Sequence, residues 1–155
     1  MKTLVRKGTK PDIPVVLELI RELARYEKAD GEVEVSVDQM VEWGFGSNPL
    51  FRFFVAEIEG QVRGTALFYH KYSTWKGKCI FLEDIIVQEA FRAKGIGSKL
   101  FDAVLQVARQ EGVKRLEWQV LEWNKPAIRF YEKYHATMDA EWLNCKLTEK
   151  QIQSL

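Results

Sequence analysis

Two acids stand side by side in a run that is otherwise apolar: Glu83 and Asp84 in CIFLEDIIV, residues 79–87. Carboxylates are strongly solvated, so acids in such a run line a cleft, form a structural pair or mark a charged edge. Adjacent side chains on a strand point to opposite faces, so one acid is expected to line a cleft while the other meets a different layer. A carboxylate in a cleft can hold an ammonium and take its proton. A second chemical feature follows at once, in FRAKGIGSKLF, residues 91–101. Gly95 and Gly97 fall where a strand gives way to a helix, and the first turn of a helix leaves amide N–H groups unpaired at the positive end of its dipole. Without side chains there, an anion can approach those amides, and Arg92, Lys94 and Lys99 add positive charge. That is a credible diphosphate site, although a bare G-x-G is more often a plain turn. No phosphate-binding G-x-x-x-x-G-K-[ST] is present, and the third glycine of a dinucleotide fingerprint is missing.

The third feature is NKPAIRFY, residues 124–131. Asn124 suits a helix cap, and Tyr131 falls near the middle of the helix, where an aromatic is ordinarily core. Near the chain's first third, Tyr26, Glu27 and Glu32 offer an aromatic face and two carboxylates to a cation, and Trp75 offers another ring. A solvated helix end and a Trp packed in a hairpin are the plainer readings of the same residues.

These groups need a scaffold, and 155 residues suffice for one domain, 1–155, with a substantial core. TLVRKG reads as an opening strand, and Asp12 with Pro14 starts a helix whose apolar face holds Val16, Leu19, Ile20 and Leu23. Ser36 and Gln39 form a capping box for a second helix through Trp43. Phe51 to Ile58 and Val62 to Tyr72 read as a hairpin joined at EGQ, with residues 79–87 as the next strand. A helix carrying Ile96, Leu100, Val104 and Val107 ends near Gly112, KRLEWQVLE follows as a strand, and a helix begins near Pro126. A last pair of short strands is expected over Ala136 to Leu147. The order predicts an α/β (α+β) domain with a mixed, largely antiparallel central sheet flanked by helices.

Composition narrows the class. Lys and Arg number 23 against 22 Asp and Glu, which argues against a nucleic-acid partner. No apolar stretch approaches membrane-spanning length and MKTLVRKG lacks a signal-like core, so no membrane association and a cytoplasmic location are expected. Cys79 and Cys145 read as free thiols, with a disulfide the open alternative. His70 and His135 stand apart from each other and from the cysteines, so no metal is expected.

The motif R-x-x-G-x-G, Arg92 to Gly97, resembles the acetyl-coenzyme A loop of the Gcn5-related N-acetyltransferases, and the strand before it, the helix after it and N-x-x-A-x-x-F-Y at 124–131 strengthen the likeness. Within that superfamily, LIRELARYEKA, EWGFGSNPLF, YSTWKGK, FLEDIIV, GIGSK and VLEWNKPAIRFYE resemble the diamine acetyltransferase family, typified by spermidine/spermine N1-acetyltransferase. YSTWKGK and GIGSK are most similar to its thialysine branch. In the polyamine branch an Asp precedes a Pro-Trp pair; Ser73 and Thr74 occupy those places here.

The resemblance implies the Gcn5-related acetyltransferase fold and direct transfer of an acetyl group from acetyl-coenzyme A to a primary amine of a small cation, a thialysine- or lysine-like amine or a polyamine. The alternatives are a protein-lysine or N-terminal acetyltransferase, or a non-catalytic acyl-coenzyme A-binding module. It implies that the backbone of Ile85, Ile86 and Val87 meets the acetyl-pantetheine arm and that Arg92, Ala93, Lys94, Gly95, Ile96, Gly97 and Ser98 hold the diphosphate. Asn124, Ala127 and Tyr131 would meet the cofactor arm, Tyr131 donating a proton to the leaving thiolate. Glu83 would recognise the amine and accept its proton, directly or through water, with Asp84 in support. Tyr26, Glu27, Glu32 and Trp75 complete the expected substrate set, and a homodimer is implied.

Overall fold

A computed structural model describes residues 2–155. The backbone groups into two compact units, Met1–Gln119 and Val120–Leu155. The first holds a five-stranded sheet, in spatial order β1 (Thr3–Lys7), β2 (Arg52–Ile58), β3 (Gln61–Ser73), β4 (Gly77–Val87) and β5 (Leu116–Glu117). The first four strands pair antiparallel and β5 pairs parallel to β4, so the mixed, largely antiparallel sheet expected from the sequence is present.

Pairing across the sheet assigns its two faces. Phe53 and Val55 of β2 lie opposite Leu67 and Thr65 of β3, and with Leu67 they pack against Ile13, Val16 and Leu17 of α1 (Ile13–Tyr26) and Met40 of α2 (Val37–Phe45). Gly64, Ala66 and Phe68 alternate to the other face, that of α3 (Ile96–Glu111). A Cβ on Gly64 would meet Leu100 Cδ1 at 3.1 Å and the Ile86 carbonyl at 3.0 Å, so glycine there lets α3 pack close against the sheet. Glu111, at the end of α3, takes the Arg52 guanidinium at 2.7 Å and the His70 ring at 2.7 Å. Those two neighbours, Arg52 first, hold its carboxyl down at about 2.

Local signals set the helix ends. Ser36 and Gln39 exchange the two hydrogen bonds of the capping box, and Gly112 closes α3 in the left-handed region at φ 63°. Asp12 occupies the N-cap position of α1, yet its carboxylate turns back to accept both Arg6 guanidinium nitrogens, at 2.8 and 2.9 Å, and the Thr9 N–H. Arg6 also donates Nε to Glu57. The Arg6 bonds bring Asp12 down to about 2, below its value in an unfolded chain, so the bridge contributes fully above about pH 4 and is lost as pH falls through about 2. Asp12→Asn should therefore cost about 1–2 kcal/mol at neutral pH, allowing for solvent screening of Arg6, and flatten the acid limb of a melting-temperature series. An unchanged acid limb would remove Asp12 from the acid response.

Three expected strands are corrected. The stretch 114–122 forms a strand only at Leu116–Glu117. Its register, Ile80 with Leu116 and Phe81 with Glu117, brings the next pairs to Leu82 and Glu83. There β4 carries a bulge: Leu82 pairs with Phe68 and Asp84 with Leu67, leaving Glu83 without a partner. A bulge bends its strand and ends regular pairing, so β5 stops where β4 turns away. In the second unit, residues 136–147 form no strand, because no ladder partner stands beside them among the described residues. That unit has α4 (Lys125–Glu132) and an unforeseen α5 (Glu149–Ser154), started by Thr148 and Gln151 as a capping box. Trp142 and Leu143 there are 72% and 87% exposed. No helix of the described residues is long and apolar enough to cross a membrane.

Candidate active site

The bulge decides how the two acids face. Asp84 lies opposite Leu67, on the α1 face. Phe81 lies opposite Tyr69 on that same face, because Tyr69 is two residues from Leu67. The extra residue lets Glu83 follow Phe81 without sending Asp84 to the far side, and the Tyr69 hydroxyl donates to Glu83 Oε1 at 2.7 Å. Both carboxylates therefore share one face. The expectation that they split across the sheet fails, since strict alternation holds only for an unbroken ladder.

The acids differ in environment. Glu83 is exposed, and Asp84 is partly buried beside it. Burial first, then the charges of Glu83 and Glu27, push the Asp84 carboxyl up to about 7. Glu27, at the C-cap of α1, is itself raised by burial. Three carboxylates thus converge electrostatically where α1 ends against β4, and a bound cation would relieve their mutual repulsion.

The outer edge of β4 supplies backbone groups to the same region. The Gln88 N–H bonds the Arg63 carbonyl on β3, so by alternation the amides of Val87 and Ile85 face away from β3. Among the described residues no strand covers that edge beyond Phe81. It can pair with an extended, amide-bearing molecule as another strand would. Ile86, between them, is buried and lies opposite Thr65.

The glycine loop follows. Ala93 and Gly95 both have positive φ, 62° and 79°. The residue at 95 is the N-cap of α3, with no side-chain cap on the helix, and a Cβ there would meet nothing within 4 Å. The first-turn amides of Ile96, Gly97 and Ser98 lack intrahelical acceptors, and Lys94 and Lys99 are exposed beside them. Uncapped amides, open space and cations together fit a coenzyme diphosphate. Arg92 is placed otherwise. Its Nε donates to the Val87 carbonyl at 2.8 Å, its Nη2 lies 3.7 Å from Glu22, and its guanidinium lies 5.3 Å from the Tyr26 ring centroid. Arg92 ties the loop to β4 and α1.

The remaining expected residues separate. Tyr26 closes α1 beside Glu27, and Glu32 is exposed in the following loop. Trp75, 79% exposed, sits at the tip of the β3–β4 hairpin. Five residues of β3 lie between the Leu67–Asp84 pair and the Ser73–Gly77 pair, six steps or roughly 20 Å of strand, so Trp75 stands apart from the carboxylates. Ser73 Oγ accepts from the N–H groups of Trp75 and Lys76 and from Arg115 Nη2, bracing that turn. In the second unit Asn124 is buried and its side chain accepts from the Ala127 N–H at 3.3 Å, capping α4. Tyr131 is buried, with its ring edge-on to Phe130 at 5.3 Å.

Sequence reading missed Glu22 and Tyr69. Glu22 lies one helical turn before Tyr26, a spacing that shares a face, and Tyr69 sits at the position of β3 that faces Phe81. No group of three or more metal-ligating side chains is found among the described residues.

The sequence pattern of the acetyltransferase (GNAT) family matches residues 15–136. A thialysine N-epsilon-acetyltransferase of Bos taurus is 41% identical over 152 aligned residues, 92% of this chain and 89% of that protein. A spermidine/spermine N(1)-acetyltransferase-like protein 1 of Homo sapiens is 32% identical over 82% of this chain and 19% of its own length. In fold, an aminoglycoside acetyltransferase from an uncultured soil metagenomic sample, solved with trehalose, superposes with a TM-score of 0.77 at 19% identity, over 94% of this chain and 95% of that one.

Proposed function

The chain belongs to the acetyltransferase (GNAT) family, and from that membership we propose that it acetylates a primary amine of a small cation by direct transfer from acetyl-coenzyme A. A lysine-like amine such as thialysine is the first substrate class and a polyamine the second, in line with the activities named for the relatives. The observation that carries the reading is the bulge at Glu83, which gathers two carboxylates on the face where Glu27 ends α1. Three acids gathered on one face can receive an organic cation, whose charge would relieve their mutual repulsion.

Within that receptor the roles expected of the two acids are exchanged: Glu83, with Glu27, holds the ammonium, and Asp84, expected only in support, accepts its proton. The elevated Asp84 carboxyl, at about 7, supports this division of labour, because a proton acceptor works best near the ambient pH. Acetyl-coenzyme A, when bound, would supply the acetyl group as a thioester, with coenzyme A as the thiol released once the group passes to the amine. The Ile85 and Val87 amides would hold its pantetheine arm, and the amides of 95–97 with Lys94 its diphosphate. Asn124 and Ala127 would meet the arm from α4. Tyr131 gives its phenolic proton to the departing sulfur. The homodimer implied by the family resemblance belongs to the same proposal, and the exposed Trp142 and Leu143 are the apolar surface that supports it.

A coenzyme A-release assay across lysine analogues, polyamines, amino sugars and peptides tests the reading. The highest kcat/KM is expected with lysine-like amines. A preference for peptides would replace the small-amine reading with a protein acetyltransferase, and an acetyl-enzyme burst without amine would remove direct transfer.

A further inference from the structure

We infer that Tyr69 is the positioning residue of Glu83, holding that carboxylate oriented toward the amine; the inference rests on the role of Glu83 proposed above. The Tyr69 hydroxyl donates to Glu83 Oε1 at 2.7 Å. A phenol has one proton to give, so Oε2 stays available to a substrate N–H.

The nature of the donor matters as much as the bond. Other acids of this chain are bound by cations: Asp12 by Arg6, Glu111 by Arg52, and Glu117 by Lys71. Those partners fix a carboxylate and neutralise it together. Among the described residues Glu83 takes part in no ion pair, and the group that bonds it is a neutral hydroxyl. It is therefore oriented without losing the charge that an ammonium would meet. An exposed glutamate left alone would spread over many rotamers, and fixing it only on binding would cost affinity.

Tyr69 is itself held. Its ring packs on Phe81, its cross-strand partner, with centroids 5.6 Å apart and planes at 31°. Lys71 lies over Phe81 at 5.6 Å and is anchored to Glu117 Oε1 at 3.0 Å. Burial first, then Glu83 and Asp84, raise the Tyr69 phenol above its ordinary range, so it remains a donor at every working pH.

Tyr69→Phe keeps the ring and removes only the donor. The amine KM should rise about tenfold, with the acetyl-coenzyme A KM within about twofold. In a Glu83→Gln background the same change should add little, because the two residues act as one unit. At neutral pH, Glu83→Gln should also move the ζ-carbon resonance that Tyr69→Phe deletes from the spectrum of ¹³C-tyrosine-labelled protein. An unmoved resonance, or KM effects that simply add, would overturn the role of Tyr69. Failure of the wild-type protein to acetylate any amine would instead remove the reaction itself, while the resonance still reports whether the two side chains are bonded.

Discussion

Asp84→Asn is expected to lower kcat/KM for the amine by about two to three orders of magnitude and to raise the melting temperature at pH 8 by about 3–8 °C. Both effects come from one cause. Asp84 is pushed up to about 7, by burial first and then by Glu83 and Glu27. A carboxyl that binds its proton more tightly when folded destabilises the fold as pH rises from about 4 to about 7. At pH 8 the wild-type protein carries the full cost of this charge, and the amide, isosteric and neutral, does not. The amide also cannot accept a proton. In the wild-type protein kcat/KM should climb as Asp84 loses its proton near pH 7, well below the ionisation of a free alkylamine; the variant should lack that limb. Pre-steady-state kinetics and calorimetry on one preparation separate the outcomes. Wild-type activity in the variant would remove Asp84 as proton acceptor, and joint loss of activity and stability would make it a structural residue.

Tyr131→Phe should lower kcat about a hundredfold while leaving the KM for acetyl-coenzyme A within about twofold. Tyr131 is buried and its ring meets Phe130 edge-on, and phenylalanine preserves that contact. What disappears is the proton that the proposed reaction offers to the leaving thiolate. The penalty should therefore shrink with an acetyl thioester whose thiol is more acidic, since that group needs less help to leave. A penalty independent of the thiol would assign Tyr131 to packing, as would equal losses in turnover and cofactor binding.

Much of this protein is legible locally. The box of Ser36 and Gln39, the proline at 14 and the glycine at 112 mark helix ends because each acts through groups within one turn of itself. The loop at 92–97 is legible for a related reason: in the proposed site the backbone itself would bind, and glycine spacing reports backbone directly. Alternation of apolar residues gave β1 to β4 nearly at their observed limits. Membership of an acetyltransferase family follows from such local stretches taken in order.

Long-range pairing decided the rest. The bulge at Glu83 depends on which residues of β3 lie opposite, and no feature of LEDIIV records it. That single extra residue puts Glu83 and Asp84 on one face, frees the edge of β4 and ends β5 after two residues. Tyr69 becomes relevant only through the register that sets it beside Phe81, and Trp75 drops away from the carboxylates through the same register. The carboxyl at 84 is an ordinary acid in the sequence and an elevated one in the fold, because burial first, and then the charges of residues 83 and 27, make its environment. Sequence determines which groups a strand carries; the partner strand determines which way they face.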